Sequence, residues 1–203
     1  MDKRLWLLIL SDVLILSGFG LIGPIFAVFI TGGLEGGSLV TAGLATSVFL
    51  VVKSLVQLPL SRFFIDKEKH KTHSLLLGTL LIISVPFIYT AAEHIYTIFI
   101  AQAIYGLGAA MAYPAWFDLF TAYMDKKHRG FEYTIWATSV GLGTALAAYL
   151  GAEFADKLGF DYLFYLVGAI SFLGFLLLIV LDRIDGRKAK APLMYSLKNR
   201  IKR

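Results

Sequence analysis

The sequence contains no cysteine, which excludes disulfide bonds and thiolate metal sites. It is also poor in charge, because Asp, Glu, Lys and Arg make up 16% of its 203 residues, whereas a soluble domain has about a quarter. Hydrophobic residues account for 58%, and the mean hydropathy is +0.73. A chain of this composition cannot present a water-facing surface on all sides, so we predict that it lies in a membrane.

Sequence signatures of common enzymes are missing as well. There is no G-x-S-x-G nucleophile elbow, no H-E-x-x-H metal motif and no Walker phosphate loop. The four histidines lie in predicted short loops or at helix ends, too dispersed to predict a metal site: His70, His73, His94 and His128. We therefore expect no catalysis, no cofactor and no bound metal.

Six long apolar segments occupy most of the chain, numbered 1 to 6 in chain order. They cover about 5–30, 40–61, 74–92, 95–124, 130–154 and 162–181, and each approaches or exceeds the ~20 residues that a helix needs to cross a bilayer. Helices are expected because lipid cannot satisfy open backbone groups. Segment 1 is too long for a signal peptide and no clear cleavage site follows it, so we expect it to be retained.

These segments predict an all-α integral membrane domain over 1–182, with six transmembrane helices in two three-helix blocks, 1–92 and 95–182. A basic tail follows over 183–203. All lysines and arginines except Lys53 and Lys157 fall at the N-terminus, between segments 2 and 3, between segments 4 and 5, or in the tail. This asymmetry places both termini in the cytoplasm, most simply across a plasma (inner) membrane. It also explains the basic net charge without nucleic acid.

Three ionisable residues lie well inside the segments: Asp12, Lys53 and Asp118. Each sits about 10–13 Å from the cytoplasmic end of its helix, so the three are predicted to share one layer. Because such charges usually face a bundle interior or a wet cavity, we interpret them as a substrate or proton-coupling site. A buried ion pair that only holds helices together, or snorkelling by Lys53, is the alternative. Glu132 and Glu153 lie near segment ends, where solvent is expected to reach them.

The placement of polar residues suggests which helices face lipid. Segments 3 and 6 carry no charged residue and are expected to face lipid, while the other four approach a polar space. Gly143, Ala147 and Gly151 follow one another at spacing four in segment 5, which favours close helix packing. Gly23 and Pro24 permit a bend in segment 1. Tyr105, Tyr113 and Trp116 are candidates for lining a cavity.

Several stretches together resemble the major facilitator superfamily, specifically one six-helix half of such a transporter. They are QLPLSRFFIDKEKHK (57–71), AQAIYGLGAAMAYPAW (101–116), DKKHRG (125–130), GTALAAYLGA (143–152) and ADKLGF (155–160). The resemblance covers nearly all of 5–182. It implies a secondary transporter that works by alternating access, with helices 1 and 4 lining the path and helices 2 and 5 meeting the opposite half.

The resemblance also carries over individual positions. In the loop between helices 2 and 3, Asp66 matches the acidic residue that acts at the family's cytoplasmic gate, Lys69 or Lys71 matches its basic residues, and Arg62 replaces a glycine. Gln102 stands where the family often has an arginine, and it joins Tyr113 and Trp116 as a candidate substrate contact. Segment 5 keeps Gly143 and Gly151 of the drug-antiporter pattern but has Ala147, Ala148 and Ala152 at its other positions.

Such transporters normally have twelve helices, and this chain has six. Because the two family halves are related by an axis along the membrane normal, two parallel copies can form the same architecture, so we expect a homodimer. The second possibility is that the chain is the N-terminal half of a twelve-helix transporter and needs a partner half, because residues 183–203 resemble the basic central loop that joins the two halves. A membrane scaffold that transports nothing is the third. The substrate, a small solute, cannot be read from the sequence.

Overall fold

The computed structural model describes residues 2–62 and 71–200, with side chains described up to residue 185. Within those residues, six helical spans are long and apolar enough to cross a membrane, which confirms the predicted number and type. They are Lys3–Gly33, Leu39–Leu60, Lys71–Thr90, Ile95–Tyr123, Arg129–Leu158 and Phe160–Asp185, and they are segments 1 to 6. The helix of segment 6 continues beyond its span, from Phe160 to Arg200.

Segment 1 is not one continuous α-helix. It runs as an α-helix over Lys3–Gly20, passes through a 3₁₀ turn at Gly23–Ile25, and resumes as an α-helix over Phe26–Gly33. Pro24 lacks a backbone N–H, so an α-helical hydrogen bond cannot form at this position, and the adjoining Gly23 has open space around it. The break therefore occurs where the sequence allows a bend.

The helices pack in two groups that draw on both halves of the chain. Segment 4 packs against segments 2 and 3, the first part of segment 1 packs against segments 5 and 6, and segments 3 and 6 join the groups. Segments 2 and 5 are the least covered, since only 11% of the residues in the most apolar stretch of each are buried. The expectation that segments 3 and 6 simply face lipid is incomplete, because their charge-free surfaces pack on each other.

Segments 1 and 5 approach so closely that glycine is required between them. A Cβ placed on Gly151 would lie 2.1 Å from the backbone oxygen of Leu21. A Cβ on Gly20 would meet Thr144 and Ala147 at 3.0–3.3 Å. The predicted packing residues Gly143, Ala147 and Gly151 thus lie along segment 1. Small residues at this spacing allow helix backbones to come together in lipid.

Polar contacts join the start of segment 1 to the end of the segment 6 span on one side of the bundle. Arg4 donates to Asp185 at 3.1 Å and stacks on the ring of Tyr123, whose hydroxyl also bonds Asp185. We call this end the terminal side. Glu132, expected to meet solvent there, is instead only 3% exposed, and its carboxylate accepts from the backbone N–H of Asp125 at 2.8 Å. It is buried because it closes the loop between segments 4 and 5.

Candidate functional site

Asp12 lies in a small cavity between segments 1, 3, 4 and 6. Its side chain is mostly buried, and Oδ2 accepts a 2.7 Å hydrogen bond from the indole N–H of Trp136 on segment 5. No lysine, arginine or histidine of the described chain pairs with it. The cavity holds about 20 Å³, enough for roughly one water molecule. Its polar lining comes from Ser11, Asp12, Thr79, Tyr105, Tyr113 and Trp116.

A larger aromatic pocket lies beside the break in segment 1. It holds about 260 Å³ and is lined by Phe19, Ile22, Gly23, Phe26, Thr46, Phe49, Tyr89, Gln102 and Tyr105. We call it the aromatic pocket. The ring of Tyr105 lies between those of Phe19 and Phe49, with centroids 4.9 and 4.5 Å away. The Gln102 amide donates to the Tyr89 hydroxyl at 3.1 Å. Tyr105 also lines the Asp12 cavity, so the two spaces share one wall.

Lys53 of segment 2 points across to segment 4 and ends on aromatic rings. Its Nζ is 4.4 Å from the ring centroid of Tyr113 and 5.9 Å from that of Phe49. Tyr113 in turn lines the Asp12 cavity. Lys53 and Asp12 therefore both lie near the same tyrosine, although they form no ion pair.

Asp118 does not join this pair. Its carboxylate is 2.6 Å from the ammonium of Lys71, the first residue of segment 3, near the terminal side. The three intramembrane charges are thus divided between two places. Lys71 was predicted as part of the cytoplasmic gate loop; in the structure it begins the helix of segment 3 and contacts Asp118 of segment 4. Arg62 is exposed, while Asp66 and Lys69 lie outside the described residues.

The ion pair of Lys71 and Asp118 is expected to contribute little to stability. Its side chains are 21% and 44% exposed, so Lys71→Gln or Asp118→Asn should each lower the free energy of unfolding by less than about 1 kcal/mol. Exchanging the two residues should restore it. Thermal unfolding in detergent at low and at high salt tests this, since screening should erase the difference. A loss of about 3 kcal/mol, typical of a broken buried pair, would contradict it.

The candidate substrate contacts fall in both spaces. Gln102 belongs to the aromatic pocket, whereas Tyr113 and Trp116 line the Asp12 cavity. Trp116 is buried, stacks on Phe120 at 4.6 Å, and has no described partner for its indole N–H. No group of three histidines or carboxylates in the described part of the chain lies close enough to hold a metal ion.

Sequence reasoning missed Trp136, Phe49 and Tyr89. Trp136 supplies the donor that holds Asp12, and Phe49 and Tyr89 form walls of the aromatic pocket. The sequence did offer one signal for Trp136: a tryptophan inside a membrane helix needs a hydrogen-bond acceptor for its indole N–H. Which acceptor it finds depends on how segments 1 and 5 cross.

Comparison with known proteins agrees with this architecture. The chain is 25% identical over 186 residues to the quinolone resistance protein NorA of Staphylococcus aureus, an alignment that covers 89% of this chain and 45% of that relative. Its fold resembles the crystal structure of the POT family transporter PepTSo, with a TM-score of 0.77 at 14% identity, over 90% of this chain and 38% of that one. An auto-inhibited POT family peptide transporter gives a TM-score of 0.70 at 12% identity.

The chain spans less than half the length of these relatives. The alignment with NorA nevertheless covers nearly all of the helical domain of this chain. A family model matches residues 8–199, which include every described helix in whole or in part. The chain therefore belongs to the Major Facilitator Superfamily.

Proposed function

We propose that this chain forms one half of a secondary transporter, which moves a small organic solute across the plasma (inner) membrane by alternating access. The observation that carries the proposal is the pair Asp12 and Lys53, two charged residues that both lie near Tyr113 inside apolar spans, close to an aromatic pocket. Charges at this depth are costly and usually mark a substrate or ion pathway. A purely structural ion pair is a poor alternative, since the two side chains do not contact each other.

Asp12 is the proposed coupling group. An ionised carboxylate buried without a cation carries a large desolvation cost, and a bound proton relieves it. Trp136 donates one hydrogen bond, which orients the carboxylate but leaves it without a counter-charge. A proton that binds on one side of the membrane and leaves on the other would then drive solute movement.

The second half is proposed to be another copy of this chain, oriented in parallel. Segments 2 and 5 support this, because each leaves most of its apolar surface uncovered by the bundle. Exposed apolar side chains along them include Leu44, Leu50, Val51 and Leu55 on segment 2, and Leu142, Leu146 and Tyr149 on segment 5. An axis along the membrane normal is the relation between family halves. A different six-helix chain in the same position is the alternative.

Reconstitution into liposomes tests the transport proposal. Permanently charged and neutral naphthalene solutes are suitable probes because the charged ones do not follow a pH gradient passively. We expect at least one to accumulate when a pH gradient is imposed, and the accumulation should disappear with a protonophore. Protein-free liposomes are the control. Failure of a folded, dimeric preparation to move any solute in either direction would favour a scaffold role.

A further inference from the structure

The structure provides one lysine inside the membrane whose charge is met only by aromatic rings. Lys53 has no hydrogen bond and no ion pair with any described residue, and its Nζ rests on Tyr113 and Phe49. Ring faces attract an ammonium but accept none of its three N–H donors in the way a carboxylate does. An anion that reaches this position could therefore accept a charge-assisted hydrogen bond from Lys53, and no described protein group would compete for it.

Snorkelling does not account for where this ammonium lies. Lys53 is seven residues before Leu60, the last residue of its helix, which is about 10 Å along the axis. Its Nζ is drawn to Tyr113, which is itself ten residues, or about 15 Å, before the end of segment 4 at Tyr123. A lysine that sought the membrane surface would extend along its own helix instead.

The surface next to this cation suits a flat, apolar body. Phe49 lies one helical turn before Lys53 on segment 2 and contributes to both places: its ring is near the ammonium and it lines the aromatic pocket. The lining residues of that pocket with polar side chains are Thr46, Tyr89, Gln102 and Tyr105, and no carboxylate lines it. Its volume of about 260 Å³ is near the lower end for small-molecule sites, typically about 300–1,000 Å³.

Asp12 lines the adjoining cavity and does not line the aromatic pocket. Its carboxylate accepts a hydrogen bond from Trp136 and forms no ion pair with Lys53. The charge arrangement thus separates an unpaired cation beside the aromatic pocket from a carboxylate that is held elsewhere. Lys53 does not line the pocket itself, but its ammonium is 5.9 Å from the ring of Phe49, which does, so a cationic group near that ring would be repelled.

We infer that the aromatic pocket takes an aromatic organic anion, with the anionic group bound by Lys53 and the ring body packed against Phe49 and Tyr105. This inference rests on the proposed transport function for its biological meaning, but binding can be measured without transport. It assigns a substrate class and gives Lys53 the role of anion anchor.

The test is equilibrium binding to the full chain in nanodiscs with three probes of one shape. They are 2-naphthalenesulfonate, its neutral sulfonamide, and a naphthyl trimethylammonium cation. We expect the sulfonate to bind at least about tenfold tighter than the sulfonamide, because one charge-assisted hydrogen bond contributes about that much affinity. Lys53→Gln should remove that preference and Lys53→Arg should keep it. Lys126→Gln, in an exposed loop, is the matched control.

Each other outcome has a defined meaning. Unchanged sulfonate affinity in a folded Lys53→Gln protein, or tighter binding of the cation, overturns the inference. If Lys53→Gln does not fold, Phe49→Leu replaces it: this variant should weaken sulfonate and sulfonamide equally, and an effect on neither would place the site elsewhere. Sulfonate binding without uptake into liposomes would contradict the proposed transport function but not the site. Uptake of the cation alone would support the proposed transport function but contradict the anion site.

Discussion

Replacing Gly151 by leucine is expected to unfold or strongly destabilise the bundle, whereas the same replacement at Gly141 is expected to be tolerated. Both glycines lie on segment 5. At Gly151 even a Cβ would lie 2.1 Å from the backbone oxygen of Leu21, and a backbone atom cannot move aside as a side chain can. At Gly141 no atom lies within 4 Å of a Cβ. We expect Gly151→Leu to lower the free energy of unfolding by about 3 kcal/mol or more.

Thermal unfolding in detergent, followed by circular dichroism, measures both variants under one set of conditions. The Gly141→Leu protein should stay within about 0.5 kcal/mol of the original, as exposed substitutions usually do. Its leucine lies on the face proposed for the second copy, so any defect should appear in self-association instead. Equal stability of the two variants would show that segments 1 and 5 do not cross at Leu21.

The second large effect is expected from Asp12→Asn. Asparagine has the same shape and can still accept the bond from the Trp136 indole, so the fold should persist. It cannot carry a proton, and gradient-driven solute accumulation should therefore fall to the level seen without a gradient. Exchange of solute across the membrane without a gradient should continue, because binding and helix movement remain possible.

Asp118→Asn is the matched control for this prediction, since it makes the same chemical change in a carboxylate paired with Lys71. It should preserve coupled accumulation. Uptake assays in liposomes with an imposed pH gradient, and counterflow assays without one, separate the two effects. Undiminished gradient-driven accumulation by Asp12→Asn would remove Asp12 from the coupling mechanism.

Much of this architecture could be predicted from the sequence because its signals are local. Apolar length predicts the six spans, and the spacing of Gly143, Ala147 and Gly151 predicts a tight helix contact on segment 5. The partner at that contact could not be predicted. The Leu21 carbonyl lies against Gly151 just before the break of segment 1 at Gly23–Ile25, and this contact depends on how segments 1 and 5 cross.

The role of the candidate site residues stays a prediction, and the sequence did not show which of them contact each other. Asp12 and Lys53, expected at one depth along their helices, both lie near Tyr113. Asp118 was expected with them, but depth alone does not show which way a side chain points around its helix. The pairing of Asp118 with Lys71, and of Asp12 with Trp136, arises from contacts between segments that are distant in the chain.

The central claim is that a second parallel copy packs against segments 2 and 5. Because one copy rotated by half a turn about the membrane normal brings its segment 5 opposite segment 2 of the other, residues of equal depth on these segments should meet. Leu55 and Thr138 are both exposed and lie about 8 Å from the middle of their helices toward the terminal side. Leu158, also exposed, lies at the opposite end of segment 5.

Disulfide crosslinking in native membranes tests this claim most directly, because the chain has no cysteine of its own. Two differently tagged copies are expressed together, one with Leu55→Cys and the other with either Thr138→Cys or Leu158→Cys. The account predicts a covalent dimer between Leu55→Cys and Thr138→Cys copies after mild oxidation, and none between Leu55→Cys and Leu158→Cys copies. Only monomer with both pairs, or equal crosslinking of both, would contradict it.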